Sequence, residues 1–436
     1  MKYLKNARLP AWLAGLVLLG VLGMVTPAWA RATLFARTIP VATTPAAEHM
    51  AALGINDHGE YLVVWQVDAG GGNFDLWARR ARVIPDFAWL GAPFAVANSA
   101  KPEQNAAIAY NQKDNEFLVV YEYIDSPQDH DIRAQRIDAS ADAPAPLLGG
   151  PLAVGVTTGS EQHPDATYLC ATDQYLVVYE MDADIWARRV ARRSQGDFIG
   201  DEFIVAGAPD AETGPAVAAA RFEAYFLVSY TSAFAQEDTD IRAQRVRGRA
   251  QGTQNLLNPS FVLADTANQE TAANVAYSPW ARAFVAVWQQ QLGENEDVLA
   301  AWVDAGNYTA QPLVGSPFAV AAHPTAVERR PRVDADSNNG DIVVALAWAD
   351  TPQSWSRPAQ VWLNRDPRAS QHIAHPLQTL PERQFMTQDS RIRLLPGAGK
   401  FIQGYTARWG TSPNANTDAY LLTNSRWPTY LPVIWR

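Results

Sequence analysis

The sequence lacks the residues that several kinds of site and of stabilisation require. It has one cysteine among 436 residues, Cys170, so no disulfide forms within the chain, and we expect a small buried side chain there. Its seven histidines show no metal-ligand spacing, and no Gly-x-Ser-x-Gly elbow or glycine-rich phosphate loop occurs. The sequence therefore predicts no catalytic residue, no cofactor and no metal.

Positive charge is also scarce, and part of it lies in a segment with the pattern of a secretory signal. Lys2, Lys5 and Arg8 precede the apolar run "AWLAGLVLLGVLGMV" and the small-residue site at Ala28 and Ala30. The run is shorter than the roughly 20 residues of a spanning helix. We expect residues 1–30 to be a signal peptide and the mature chain to be exported without a membrane span.

Loss of this segment moves the formal net charge from −10 to −13. Nucleic acids and anionic membrane surfaces both require basic patches on their partners. The composition therefore argues against both as main partners. It suits a secreted or surface-located protein.

A four-part phrase repeats along the chain. It is clearest between residues 105 and 155, as "NAAIAYN", "EFLVVYE", "DIRAQRID" and "GPLAVG". Each part is short, rich in β-branched or aromatic residues, and bounded by Gly, Pro, Asn or Asp, which is typical of a strand between turns. The phrase predicts a unit of four strands.

An aromatic residue that closes the second part sets the register of the repeat. It occurs at Trp65, Tyr121, Tyr179, Tyr230, Trp288, Trp348 and Tyr405. Successive positions are 51 to 60 residues apart. Seven units of four strands predict an all-β fold, a seven-bladed β-propeller of four-stranded blades over residues 31–424.

The two ends of the repeat complement each other. The last unit has "DSRIRLL", "KFIQGYT" and "DAYLLTN" but no fourth phrase, whereas the sequence from Ile39 aligns without a gap on the sequence from Phe94. We expect the mature N-terminal strand to complete blade 7 and close the ring, because closure removes an open sheet edge. Residues 425–436 are left as an apolar C-terminal tail.

Two acidic residues recur in most units. One opens the third strand, as in "DIRAQR", at Asp75, Asp131, Asp184, Asp240, Asp297 and Asp418, with Gln360 in blade six. The other precedes the first strand, at Glu48, Glu103, Glu161, Glu212, Glu270 and Glu328, with Thr387 in blade seven. A residue repeated in every blade serves the blade, so we expect these acids to bond backbone amides or an arginine such as Arg136. The alternative is a ring of acids that attracts a cation at the channel mouth.

The connections between second and third strands vary most among the units and are mostly acidic. Variable loops on a rigid frame commonly carry binding residues, and aromatic faces beside carboxylates suit sugar rings. The sequence therefore predicts a ligand site that includes Trp355, Trp409, Asp350, Asp68 and Asp129. The alternative is that the two tryptophans pack the longer loops of blades six and seven against the blades.

The segment "DADSNNGD" from Asp334 resembles an oxygen-rich calcium loop, but its glycine is one position late for that motif. The corresponding segment of the first unit, "NDHGE", has the pattern of a plain hairpin turn. The sequence therefore favours a turn at this place over a calcium site.

The phrase "EYLVVWQ … DLWARRARV … GAPFAVA" resembles repeats of large exported bacterial proteins. The resemblance covers about residues 36–424 and implies the blade type, not an activity. The sialidase Asp-box, the WD dipeptide and the integrin-type calcium loop are missing. The tail "YLPVIWR" is similar to the endings of exported proteins in green non-sulfur bacteria, which implies a sorting or surface-attachment tag; packing on the propeller wall is the alternative.

These observations predict an exported, non-enzymatic propeller that binds a glycan or a protein at the cell surface. One alternative is a polysaccharide-acting hydrolase or lyase that uses carboxylates at the channel mouth. Two carboxylates roughly 5–10 Å apart in an open pocket would favour that alternative, whereas acids tied to amides or arginines would not. A structural scaffold of the cell envelope is the third hypothesis.

Overall fold

The computed structural model describes residues 36–84, 86–140, 146–193, 196–235, 238–251, 253–306, 314–351, 356–379, 390–408 and 417–424. Within these ranges the chain forms strands and their connections without any helix, so none there is suited to cross a membrane. The predicted all-β class is confirmed. The expected signal peptide (1–30) and C-terminal tail (425–436) lie outside the described residues.

The strands follow the repeat phrase. The first strand of the described residues is β1 (Ala36–Ala42). The first phrase contains β2 (Glu48–Ile55), β3 (Glu60–Asp68), β4 (Phe74–Arg82) and β5 (Ala88–Ala97). The second contains β6 (Glu103–Asn111), β7 (Glu116–Ser126), β8 (Asp129–Asp138) and β9 (Leu147–Gly155). The third contains β10 (Gln162–Leu169), β11 (Gln174–Met181), β12 (Asp184–Arg193), β13 (Gly196–Ile199) and β14 (Phe203–Ala206).

The later phrases continue in the same order. The fourth contains β15 (Glu212–Ala220), β16 (Tyr225–Ala235), β17 (Asp238–Gln251) and β18 (Gln254–Ala264). The fifth contains β19 (Glu270–Ser278), β20 (Ala283–Leu292), β21 (Asn295–Asp304) and β22 (Phe318–Ala321). The sixth contains β23 (Val327–Ala335), β24 (Ile342–Ala349), β25 (Arg357–Leu363) and β26 (Ile373–Thr379). The last contains β27 (Ser390–Leu395), β28 (Lys400–Arg408) and β29 (Thr417–Asn424).

Consecutive strands of a phrase pair antiparallel, and most phrases form one four-stranded sheet. The strand orders are β2-β3-β4-β5, β6-β7-β8-β9, β15-β16-β17-β18 and β1-β29-β28-β27. The third phrase gives a five-stranded sheet in which both β13 and β14 pair with β12. The fifth and sixth phrases are joined into one eight-stranded sheet by a single parallel pair, Glu296 with Val327. The predicted four-stranded antiparallel units are thus confirmed as the basic element.

The structure corrects the sequence register in the sixth phrase. Glu270 lies opposite Gln290, two residues beyond Trp288, whereas Glu328 lies opposite Trp348 itself. The residue equivalent to Trp288 is therefore Leu346, and the prediction of Trp348 is wrong by two residues. The same shift makes Arg357, which pairs with Trp348, the counterpart of the repeated aspartate in place of Gln360.

Neighbouring sheets pack face to face through small and β-branched side chains. Third-strand alanines such as Ala78, Ala134 and Ala243 are fully buried, which permits close stacking of sheets. The sheet β2–β5 contributes Trp65 to a core that it shares with Ile402 of β28 and Leu421 of β29. Apolar burial between sheets is the main stabilising contribution in a chain without disulfides.

The first strands of the first six phrases contain a bulge, and at several of these bulges one backbone N–H donates to a side chain of the preceding sheet. The residues there have positive φ, with Asn105 at 52°, His163 at 51° and Arg330 at 55°. Their N–H groups donate to Gln66 at 3.0 Å, to Glu122 at 2.6 Å and to Gln289 at 3.1 Å, all on the second strand of the sheet before. The left-handed backbone costs about 1–2 kcal/mol per non-glycine residue, and the intersheet hydrogen bond offsets part of that cost.

The first strands contact one another in chain order. The contacting pairs are β2 with β6, β6 with β10, β10 with β15, β15 with β19, β19 with β23 and β23 with β27. β27 in turn contacts β2. These strands therefore surround the cavity described below.

We expect Ile39→Ala to destabilise the chain, because Ile39 anchors β1 on the core formed with Trp65, Ile402 and Leu421. Truncation of a buried isoleucine costs about 2–5 kcal/mol. Chemical denaturation of the protein measures the change. Thr38→Ala, in the same strand at a half-buried position, is the control; equal losses for both variants would contradict the packing of β1.

Candidate functional site

The structure describes three of the five residues predicted for the ligand site. Asp68 closes β3 and accepts a hydrogen bond from the Gly70 N–H at 2.8 Å. Asp129 opens β8, and its buried Oδ1 has no hydrogen-bond partner among the described residues. Asp350 follows β24, with a side chain that is 67 % exposed and lies 2.5 Å from Arg357.

All three lie in or directly beside the connection between a second and a third strand, but on three different sheets. Trp355 and Trp409 lie outside the described residues. The predicted grouping of the five residues stays a prediction.

The length of these connections divides the sheets into two classes. Two residues separate β7 from β8, β11 from β12, β16 from β17, and β20 from β21. Residues 69–73, 350–356 and 409–416 form the longer connections, of five, seven and eight residues. The longer ones belong to the sheet β2–β5, to the sheet portion β23–β26 and to the sheet of β27–β29. Because β23 contacts β27 and β27 contacts β2, these three are consecutive.

The repeated glutamates are buried at the start of the first strands, with only Glu161 outside its strand, and they bond the connections that enter these sheets. Glu161 accepts a hydrogen bond from Thr157 Oγ1 at 2.5 Å, and Glu212 accepts from the Ala208 N–H at 3.3 Å. Glu328 accepts from the His323 N–H at 3.2 Å. The expected bonding to backbone amides is thus observed for several of these acids.

The arginine named as the alternative partner has another role. Arg136 lies 3.3 Å from Glu116 and 3.2 Å from Asp197. The expectation that Arg136 pairs with a repeated glutamate is wrong, because Arg136 stands near the end of β8 while the glutamate of the next sheet approaches its beginning. There, the Glu161 N–H donates to the His130 carbonyl at 2.9 Å.

Each repeated glutamate lies close to the third-strand aspartate of the preceding sheet. Burial, and then repulsion from Asp184, raises the pKa of Glu212 to about 7. Burial, and then repulsion from Asp297, raises the pKa of Glu328 to about 7. Burial likewise raises the pKa of Asp240 to about 6, with repulsion from neighbouring acids that include Glu270. The intersheet boundaries therefore carry carboxyl pairs that favour protonation.

The chain should become less stable as the pH rises from about 4 to 7. A carboxyl whose pKa is raised in the folded state binds a proton more tightly there than in the unfolded chain. Its contribution to the free energy of unfolding is therefore complete below pH 4.5, the unfolded value, and is lost as the pH rises to about 7. Thermal unfolding over this pH range measures the effect. We expect Glu212→Gln together with Glu328→Gln to flatten the profile and to raise the melting temperature at pH 8.

The matched control is Glu294→Gln, which removes an exposed carboxylate from the β20–β21 connection. It should leave the shape of the profile unchanged. A wild-type melting temperature that increases steadily from pH 4 to 8 would contradict the assignment.

A cavity of about 880 Å³ lies between the first strands β2, β6, β10, β15, β19, β23 and β27. Its lining includes residues at equivalent positions of the seven first strands. They are equivalent because each pairs with the corresponding residue of its second strand. One set of equivalent residues consists of Ala52, Ala107, Asp165, Ala216, Asn274, Arg332 and Arg391. Two residues further along stand Gly54, Ala109, Thr167, Ala218, Ala276, Asp334 and Arg393.

The charged residues of this lining break the repeat and were missed by the sequence analysis. Arg332, Arg391 and Arg393 lie on β23 and β27, and Arg332 and Arg393 are near enough to Asp165 of β10 to lower its pKa against the effect of burial. The signal was present in "ERRPRVDAD" and "SRIRLL", where the first, second and fourth phrases have alanine or glycine. These arginines stand outside the repeated acidic positions, so the repeat did not single them out.

The segment from Asp334 forms the hairpin connection between β23 and β24, as predicted. Asp336 Oδ1 accepts the Asn338 N–H at 2.7 Å, and its Oδ2 accepts the Gly397 N–H at 2.7 Å. Asn339 donates to Asp341 at 2.8 Å. Within the described ranges, no three His, Cys, Asp or Glu side chains are grouped so as to hold a metal ion.

No protein-family model and no curated protein matches this chain. Solved structures do. A β-propeller domain from Myceliophteria thermophila has a TM-score of 0.50 at 9 % identity, over 90 % of this chain and 100 % of its own length. A Hadza microbial sialidase has a TM-score of 0.45 at 9 % identity, over 86 % of this chain and 65 % of its own.

An α-L-arabinofuranosidase from Podospora anserina has a TM-score of 0.38 at 9 % identity, over 73 % of this chain and 89 % of its own. The latter two scores are too low to carry an argument, and identities near 9 % relate folds and not activities. The likeness to the Myceliophteria domain shows that this chain has a β-propeller fold.

Proposed function

We propose that the chain is an exported, non-enzymatic β-propeller of seven blades that binds a glycan or protein ligand at the cell surface. The ligand is held by the variable connections between second and third strands. In this proposal residues 1–30 are the signal peptide, residues 425–436 are the tail, and β1 completes the seventh blade.

Contacts between the two ends of the propeller support a closed ring. β1 pairs with β29, with Ile39 opposite Leu421. The Met50 N–H of β2 donates to Thr406 Oγ1 of β28 at 3.0 Å, and Arg391 of β27 donates to the Ala51 carbonyl at 2.8 Å. These bonds join the last sheet to the first in the way that other neighbouring sheets are joined.

The observation that carries the binding proposal is the position of the longer connections. Residues 350–356, 409–416 and 69–73 follow one another around the propeller, on blades 6, 7 and 1. Trp355 and Trp409 belong to two of these connections. A rigid frame with long loops confined to one sector favours a single binding region over a symmetrical one.

The bonding of the repeated acids supports a non-enzymatic role. The glutamates before the first strands accept hydrogen bonds from the connections that they anchor, as Glu161 does from Thr157 and Glu328 from His323. Retaining and inverting glycosidases place two carboxyl groups on either side of a substrate. The bonds that hold these glutamates favour a structural use of each acid.

We expect the mature chain to bind glycans or surface proteins in array and pull-down experiments, and Trp355→Ala with Trp409→Ala to abolish that binding. Removal of two aromatic side chains that contact the ligand in this proposal should lower the affinity by about tenfold or more. The control is Trp280→Ala, which truncates an exposed tryptophan in the β19–β20 connection, at the other end of the blades. Binding that survives the double substitution would refute the loop assignment.

A further inference from the structure

The boundary between the sixth and last phrases departs from the repeat in both of its acids. Arg357 of β25 pairs with Trp348 of β24. At the equivalent place in the fifth phrase, the repeated Asp297 pairs with Gln290. In the sequence of the last phrase, Thr387 takes the place of the repeated glutamate. An arginine and a tryptophan therefore occupy the boundary at which other phrases have a carboxyl pair.

The Asp350 carboxylate holds these two side chains together at the end of β24. Its Oδ1 accepts the indole N–H of Trp348 at 3.2 Å and a guanidinium N–H of Arg357 at 2.5 Å. Its Oδ2 accepts no hydrogen bond from the described residues, and the side chain is 67 % exposed. One carboxylate oxygen is thus fixed by the protein, and the other is open to a ligand.

The guanidinium of Arg357 keeps most of its hydrogen-bonding capacity. A guanidinium has five N–H donors, and Arg357 uses one of them, toward Asp350, among the residues that the structure describes. None of its nitrogen atoms is among the described polar atoms that are buried without a partner. The other donors therefore lie where solvent, and a ligand, can reach them.

The Trp348 ring supplies a flat apolar surface beside these polar groups. The ring is half-buried, packs against the core between the fifth and sixth phrases, and lies edge to face with the exposed His323 ring at a centroid distance of 5.5 Å. The His323 N–H donates to the Glu328 carboxylate at 3.2 Å, which fixes the backbone that carries the imidazole. A ring held in this way loses little conformational freedom when a ligand stacks on it.

We infer that Trp348, Asp350 and Arg357 bind a neutral glycan through a pyranose ring with hydroxyl groups on adjacent carbons. The inference rests on the proposed binding function and names the ligand class. One hydroxyl donates to Asp350 Oδ2, its neighbour accepts from Arg357, and the C–H face of the sugar ring lies on Trp348. A hydroxyl both donates and accepts, so two adjacent hydroxyls match an acceptor and a donor that lie side by side.

The charges around the site disfavour an acidic sugar. Asp350 balances the charge of Arg357. Asp297 lies close to the imidazole, because Asn295 donates to Asp297 Oδ1 at 3.1 Å and to the His323 carbonyl at 3.1 Å. Asp297 therefore adds negative charge on this side of the site, which repels the carboxylate of an acidic sugar.

A protein partner fits this place less well than a sugar does. The core of a protein interface is made of large apolar side chains that contact buries. Among the described residues, the large apolar side chains that are exposed all lie between Ile84 and Leu292, outside the sixth phrase. The site offers one ring with polar groups beside it, which is the chemistry of a hydroxyl-rich ligand.

Titration calorimetry of the protein with maltotriose, mannotriose and galactotriose tests the inference, with trigalacturonate as the acidic counterpart. We expect at least one neutral sugar to bind, with an affinity that salt does not change because the ligand carries no charge. Trigalacturonate should bind at least about tenfold more weakly than that sugar.

Asp350→Asn should lower the affinity for the neutral sugar by about tenfold. The amide oxygen still accepts from Trp348 and Arg357, but an N–H₂ group replaces the open carboxylate oxygen. Arg357→Lys should also lower the affinity by about tenfold, because an ammonium keeps the charge and loses the planar fork of donors. The matched control is Asp125→Asn, which changes an exposed aspartate paired with Lys101 at 3.1 Å in the second phrase and should have no effect.

The inference is overturned if none of the neutral sugars binds, if trigalacturonate binds as tightly as they do, or if Asp350→Asn keeps the wild-type affinity. Thermal unfolding of each variant checks the fold. If Asp350→Asn does not unfold cooperatively, Arg357→Lys decides: weaker binding supports the site, and wild-type affinity refutes it.

The same experiments separate this inference from the proposed function. A protein ligand found by pull-down, with no neutral sugar bound, would keep the proposed function and refute the ligand class. Loss of sugar binding in Asp350→Asn but not in Trp355→Ala with Trp409→Ala would keep this site and refute the two tryptophans. Absence of any ligand in arrays, pull-downs and titrations would refute both.

Discussion

The hydrogen bonds that pass from one sheet to the next are the interaction on which the structure depends. At the first-strand bulges, the N–H groups of Asn105, His163 and Arg330 donate to side chains of the preceding sheet. Sheet faces coated with alanine and valine would slide over one another if apolar burial alone held them, because burial is not directional. The bonds at the bulges set the register between sheets and leave the apolar core to supply the stability.

Repeated and non-repeated residues have separate tasks in this frame. The glutamate at the start of the first strand, in all phrases but the last, bonds the chain where it enters a sheet, and its burial beside an aspartate raises its pKa. Because these acids recur in nearly every phrase, they distinguish no single position. The long connections of the sixth, last and first phrases and the arginines of β23 and β27 break the repeat in the same sector.

Much of the fold could be predicted from the sequence, because short strand phrases between turn residues repeat with a regular spacing. The register failed in the sixth phrase. There "VVALAWA" places Leu346 and Trp348 on the same face of a strand, and a period of two residues cannot distinguish positions two apart. Structure was needed to see that Glu328 lies opposite Trp348.

The bulge residues could not be predicted, since Asn105, His163, Gly214, Ala272 and Arg330 share no side-chain chemistry. All five have a left-handed backbone, and the N–H groups of Asn105, His163, Gly214 and Arg330 donate to a side chain of the preceding sheet. The cavity arginines, by contrast, were readable in "RRPRVD" and "SRIR". Whether these arginines reach the cavity depends on which residues of a first strand face it. The bulge interrupts the alternation of side chains along the strand, so the sequence pattern alone does not give that orientation.

A crystal structure of the protein with a ligand identified by array or pull-down binding tests most directly the proposal that the long connections bind the ligand. The account predicts electron density for the ligand against residues 350–356 and 409–416. Ligand density between the first strands or at the hairpin connections on the opposite side, with none at the long connections, would contradict it.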